Sequence, residues 1–125
     1  MFDNPVQEAR RYIENARQTL SRSAQKDGRY YSDKKYVKTA GHQAYTGVLL
    51  ALDAVTPKPK KGRKTEEFYR AEITKMDKKL LRSFNVAYEN LHMFMGYDGA
   101  TDVSVAESGL REAETIIDWV ANRLS

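Results

Sequence analysis

At 125 residues the chain has the size of one domain, and its cysteine count of zero excludes disulfides and thiolate metal sites. Its formal charge is +4, from 21 Lys plus Arg against 17 Asp plus Glu. Five of those positive charges fall within Thr56–Lys64, which leaves 16 against 17 for everything else: a near-neutral body with one basic loop, not a uniformly basic nucleic-acid binder.

The opening Met-Phe-Asp-Asn-Pro lacks the basic segment and apolar core of a signal peptide. Asn4-Pro5 instead reads as a helix start: Asn4 can cap, Pro5 suits the first helical position, and Gln7 falls where a capping box wants Glu or Gln. Val6, Ala9, Ile13, Ala16 and Leu20 then step along one helical face, opposite a charged face that includes Glu8, Arg10 and Arg11. This first helix is expected to fade within Ser21–Gly28.

Ser32-Asp33 supplies two good caps for a second helix through Val37, Ala40, Ala44, Val48, Ala51 and Val55, ended by Pro57. Leu49, Leu50 and Leu52 widen its apolar face, so it is expected to be the most central helix. Gly41 and Gly47 lower helix propensity, and side chains that small are expected where another helix backbone comes close. Val48–Leu52, the longest strongly apolar run, is far short of the ~20 residues that span a bilayer. No membrane association is expected, and the simplest location is the cytoplasm.

After the basic loop, Thr65-Glu66-Glu67 caps a third, short helix and puts acid at the positive end of its dipole. The favoured reading breaks this helix near Lys75–Lys78 and starts a fourth at Asp77, with Leu80, Leu81, Phe84, Ala87, Tyr88, Leu91 and Met95 facing inward. One continuous helix from Thr65 to Met95 is the alternative. Gly96-Tyr97-Asp98-Gly99 reads as a turn. Ser104-Val105-Ala106-Glu107 is a capping box, with Thr101 or Asp102 as caps one turn earlier, and Ala106, Leu110, Ala113, Ile117, Val120 and Leu124 form the last apolar stripe. No segment alternates apolar and polar long enough to predict a strand. The predicted fold is all-α: an up-and-down bundle of four long helices plus one short helix, one domain over 1–125 with the basic loop 56–64 between its second and third helices.

Ala9-Arg10-Arg11-Tyr12-Ile13-Glu14-Asn15-Ala16, then Tyr36-Val37-Lys38-Thr39-Ala40-Gly41-His42-Gln43-Ala44-Tyr45 leading into Leu49–Leu52, and finally Ala113–Val120, resemble the HEPN superfamily of small helical bundles. That group includes the substrate-binding partners of minimal nucleotidyltransferases. Its RNA-cleaving members carry an arginine four to six residues before a histidine. Here Arg82 stands ten before His92, and the residue seven before His42 is Lys35. The resemblance therefore implies a bundle that binds a partner or ligand, and it does not imply a ribonuclease.

Three groups of residues can carry chemistry. His42 and Tyr45 share one face of the second helix, and Tyr88 and His92 one face of the fourth. If those faces meet, two imidazoles and two phenols line a small polar pocket; otherwise they sit at the core's edge with their polar tips in water. Two histidines without an acid at ligand spacing make a poor metal site, and neither metal nor cofactor is expected. Arg29, Tyr30 and Tyr31 read either as a binding surface at the end of the bundle or as packing. Lys58, Lys60, Lys61, Arg63 and Lys64 are candidate phosphate contacts, or simply a solvated connection; they lack interleaved aromatics for base stacking. No nucleophile motif occurs, and the acids, such as Glu8 and Asp118, are read onto outward faces. The expectation is a non-catalytic binding module whose partner is a protein, a nucleotidyltransferase or a second copy of itself. Weak nucleic-acid binding through the loop is the alternative.

Overall fold

A computed structural model describes residues 4–125. Helix α1 spans Pro5–Gln18 and continues without a break as a π-helical turn, Thr19–Ala24. The Asn4 carboxamide accepts a hydrogen bond from the Val6 amide at 2.8 Å, and Pro5 occupies the first helical position. Gln25 leaves the helix at φ +59°, with its amide bonded back to the Leu20 carbonyl at 2.9 Å.

Between α1 and the next helix lies a feature the sequence reading excluded, a two-stranded antiparallel ribbon. Strands β1 (Lys26–Asp27) and β2 (Tyr30–Tyr31) pair Lys26 with Tyr31 and Asp27 with Tyr30 around Gly28. Two residues per strand cannot show alternation, so the expectation of no strands fails on length alone. The ribbon also ties the bundle's end together: the Tyr31 amide donates to the Thr101 carbonyl, and the Val103 amide to the Arg29 carbonyl.

Helix α2 covers Lys34–Asp53 and is capped by the Asp33 carboxylate, which accepts from the Lys35 amide at 3.0 Å. It packs against α1, against the second half of the fourth helix and against the last helix, and is the central one as expected. Both its glycines sit at close crossings. A Cβ on Gly47 would lie 2.9 Å from the Ala9 carbonyl oxygen, and one on Gly41 would lie 2.5 Å from that of Leu91.

Helix α3 is Glu66–Met76, capped by the Thr65 hydroxyl on the Phe68 amide. Asp77 is extended (φ −166°), so the break near Lys75–Lys78 is real and residues 65–95 form two helices. The Asp77 carboxylate takes the amides of Lys79 and Leu80 at 2.7 and 3.0 Å, and the Trp119 indole donates to its other oxygen. These backbone amides, with the indole and Lys79, hold its carboxyl below the usual range.

Helix α4 runs Lys78–Ala87 and continues as a ten-residue π-helix, Tyr88–Tyr97. Gly96 and Tyr97 are therefore helical, not the start of a turn, and the chain turns only at Asp98-Gly99. The Asp98 amide still reaches back five residues to the Met93 carbonyl. Helix α5, Val103–Leu124, starts from Asp102, two residues before the Ser104 box. The five helices form the expected all-α bundle of four long members and one short. Ala44, Ala51, Phe84, Leu110 and Ile117, each mid-stripe, are all within 3% of complete burial. No described helix is long and apolar enough to cross a membrane.

Candidate functional site

The crossing of α2 with the π-helical half of α4 builds the site. Gly41 and Gly96 let the two backbones meet: a Cβ on Gly41 would lie 2.7 Å from the Gly96 nitrogen, and one on Gly96 would lie 3.0 Å from the His42 ring. With no side chains to hold the helices apart, His42 lies flat against Gly96, and Tyr45 comes down on the π-helical segment.

The four predicted side chains do come together, and they stack. Tyr45 and His92 are near-parallel with ring centroids 4.8 Å apart; Tyr88 lies 5.3 Å from His92 and 6.0 Å from Tyr45. His42 meets His92 edge-on at 6.3 Å. Phe84 extends the cluster inward, 6.4 Å from Tyr45 and 6.5 Å from Tyr88, and Tyr97 extends it outward, 6.3 Å from His92. The π register carries Tyr97, five residues on, back to the side that His92 occupies.

Electrostatics follow from this packing. Burial pushes the His92 imidazole below its ordinary value, the neighbouring His42 adds to that, and Glu66 opposes it. Its Nδ1 is buried with no hydrogen-bond partner among the described residues. Burial likewise raises the Tyr45 phenol far above its usual value. Hydrogen bonding from Tyr88, then Arg70, holds the Glu66 carboxyl below the carboxylate range, and the same bond raises the Tyr88 phenol.

Glu66 and Arg70 are members of the site that sequence reasoning missed. The sequence reading gives Glu66 only a place at the start of α3. Glu66 forms an ion pair with Arg70 one turn later, and the Arg70 guanidinium sits 4.8 Å over the Tyr88 ring and bonds the Asn85 carboxamide at 2.8 Å. The four-residue spacing of Glu66 and Arg70 was the available signal. Other acids do face outward as read: Asp118 pairs with Arg10 at 3.0 Å and Glu8 with Arg11 at 3.1 Å.

The basic loop divides. Lys58, Lys60, Lys61 and Arg63 are exposed and make no ion pair among the described residues. Lys64 points inward instead. Its ammonium is 3.0 Å from Asp53 Oδ1 and 2.9 Å from Thr56 Oγ1, and it lies over the Phe68 and Tyr69 rings. Tyr69 donates to the same Asp53 oxygen at 2.6 Å. Lys64 is thus committed to closing the loop onto α2 and α3, and four cations remain for a ligand.

The Arg29-Tyr30-Tyr31 group also divides, for Tyr30 is 50% exposed whereas Tyr31 belongs to the core at 7%. Tyr31 helps line a cleft of about 430 Å³ with Arg17, Lys26 and Glu107 at its rim, away from the imidazoles. Lys26 pairs with Glu107 and Arg17 with Glu114, so the rim charges are mutually compensated. Among the described residues no group of three or more His, Asp or Glu side chains is placed to hold a metal ion.

Fold and site together define an all-α bundle with an aromatic–imidazole cluster at one helix crossing and large aromatics left in water beside it. The chain belongs to a family described as a domain of unknown function (DUF5618), whose model matches residues 4–122. A solved structure, described as a protein of unknown function from Dyadobacter fermentans, is similar to it at 47% identity, with 95% of each chain covered and a TM-score of 0.92. Among curated proteins nothing matches.

Proposed function

We propose that this protein is a non-catalytic helical-bundle binding module, HEPN-like in character, that acts in the cytoplasm as an accessory subunit for another protein. A nucleotidyltransferase is the partner class the resemblance implies, and a second copy of this chain is the other. One observation carries the reading. Glu66, Arg70 and Tyr88 are engaged with one another and the imidazoles are packed among aromatic rings, while Tyr97 (67%) beside His92 and Phe94 (42%) on the same helical segment stay exposed. Large aromatics left in water next to a closed polar cluster fit a contact surface better than an active site. No cofactor enters this reading.

The test is stoichiometric. The full chain, alone and with a candidate partner purified after affinity capture, is run through size exclusion with light scattering. Phe94→Ser/Tyr97→Ser should abolish the resulting dimer or complex while leaving the melting temperature unchanged. A chain that stays monomeric and forms no stoichiometric protein complex refutes the reading.

A second reading, nucleic-acid binding through the loop, is favoured by the four unpaired cations Lys58, Lys60, Lys61 and Arg63. Counterion release limits such a loop to a log–log salt slope of about −3.6 on duplex, since each phosphate contacted contributes roughly −0.9. Fluorescence anisotropy on wild type and on the chain with those four changed to Gln decides it. Submicromolar, loop-dependent binding at physiological salt would put this reading first.

A further inference from the structure

We infer that the exposed face between the first half of α2 and the end of the α4 π-helix binds an acidic segment of a partner protein. Two carboxylates, two residues apart in an extended strand, would sit on Lys34 and Lys38, with an aromatic residue against Tyr97. The inference rests on reading this chain as a protein-binding module.

Lys34, Lys38 and His42 recur every four residues and so form one row along α2. Gly99 (φ +69°) lies under the first two. A Cβ there would come within 2.6 Å of Lys34 Cγ, 2.7 Å of Lys34 Cε and 3.0 Å of Lys38 Cε. Both lysine stems therefore lie across the glycine, where any larger side chain would displace them, and their ammonium groups stay at the exposed surface. Neither ammonium has a carboxylate within 4 Å among the described residues, whereas Lys26, Lys64 and Lys75 each do. Both are therefore free to meet an anionic partner.

The third member of the row, His42, rests on Gly96, and Tyr97 beside it is 67% exposed. Lysines four apart on a helix are separated by about 6 Å along the axis, and alternate residues of an extended strand by about 6.7 Å. The two spacings match, and a side chain beyond the acidic pair can then reach the Tyr97 ring.

The charge pattern favours a short acidic peptide over a nucleic acid. Asp33 directly precedes the row in sequence and Asp98 directly precedes Gly99, so the cationic stretch is only two residues long and offers little to a continuous polyanion. Two phosphate contacts would give a salt slope of only about −1.4 on a single strand. Two discrete carboxylates with an aromatic anchor suit the surface better.

The experiment uses the full chain and a fluorescein-labelled peptide, Phe-Gly-Glu-Ser-Glu-Gly-Phe, in fluorescence anisotropy. Its counterpart with Gln for both Glu and a labelled oligothymidylate are the comparisons. The acidic peptide should bind about tenfold or more tighter than its Gln counterpart, and Lys34→Gln/Lys38→Gln should remove that difference. Tyr97→Ser should weaken both peptides. Neutralising Lys58, Lys60, Lys61 and Arg63 should change nothing. If the lysine variant fails to fold, amide shifts of the wild type on titration should move at Lys34, Lys38, His42 and Tyr97. The inference is overturned by no peptide binding, by peptide binding indifferent to Lys34 and Lys38, or by tighter binding of the oligothymidylate through the same lysines. A stoichiometric protein complex that survives Lys34→Gln/Lys38→Gln would refute this face yet leave the binding-module reading standing. Absence of any protein complex would refute the module itself.

Discussion

Replacing Gly41 by alanine sets two effects against each other, and the structure decides the sign. Inside a helix, alanine is favoured over glycine by about 1 kcal/mol, so propensity alone predicts stabilisation. At this position the new methyl carbon would lie 2.5 Å from the Leu91 carbonyl oxygen, 2.7 Å from the Gly96 nitrogen and 2.8 Å from Met95 Cβ. Two of those three neighbours are backbone atoms, which cannot rotate away as the end of a side chain can. The π-helical half of α4 must shift bodily, and overpacking of this kind costs about 1–3 kcal/mol, here toward the upper end. After subtracting the propensity gain, Gly41→Ala should destabilise by about 1–2 kcal/mol in urea denaturation followed by circular dichroism. The shift would also part His42 from His92, so the imidazole resonances of both should move. A stability gain approaching 1 kcal/mol would show that the crossing has slack and that the glycine is not needed there.

Leu110→Ala should cost about 2–5 kcal/mol by denaturant titration, since Leu110 is 3% exposed at the middle of the α5 stripe. Thr65→Ala should cost about 1 kcal/mol by thermal melting, because its hydroxyl accepts from the Phe68 amide at the start of α3. The folded His92 titrates below its ordinary value of 6.5, so between the folded and unfolded midpoints the unfolded chain binds more protons and stability falls as pH drops below about 6.5. Two-dimensional NMR should place the His92 midpoint under 6.5, with His42, Tyr45, Glu66, Arg70, Tyr88 and Tyr97 as the groups around it, and His92→Gln should flatten that part of the stability profile.

The helices were legible because each carries a one-sided stripe and a chemical start signal. Asn4, Asp33, Thr65 and Asp77 all cap as their side chains suggest, and the charged patch at Lys75–Lys78 marked a true break. What escaped depended on contacts between distant segments. The β1–β2 ribbon is too short for any period, and part of its hydrogen bonding goes to Thr101 and Val103, about seventy residues away. Asp102 begins α5 without any side-chain cap bond, so the stronger Ser104 signal points two residues too late. The pairing of His42 with His92 was visible only as an if, because spacing within a helix says which residues share a face and not which faces meet. Lys64 looked like its loop neighbours in sequence, and only the Asp53–Tyr69 contact sets it apart.

The π-helical half of α4 links the fold to the surface it presents. Ala87, Leu91 and Met95 recur every four residues and are all fully buried, so the segment keeps an inward stripe through Met95. The wider π turn changes what lies on the outside: it leaves Phe94 and Tyr97 exposed and brings Tyr97 back beside His92. Such wide turns are rare and need support, and the Gly41–Gly96 crossing supplies it by letting α2 lie directly against the segment. Packing and binding surface are therefore two sides of one element. A change at Gly41 should disturb both, moving the imidazoles and weakening any partner along with stability. Changes at Lys34, Lys38 or Tyr97 touch only the outer side and should weaken binding while the melting temperature holds. A Tyr97 variant that lost as much stability as Gly41→Ala would mean that the exposed aromatics serve the fold, and the surface would lose its claim to a partner.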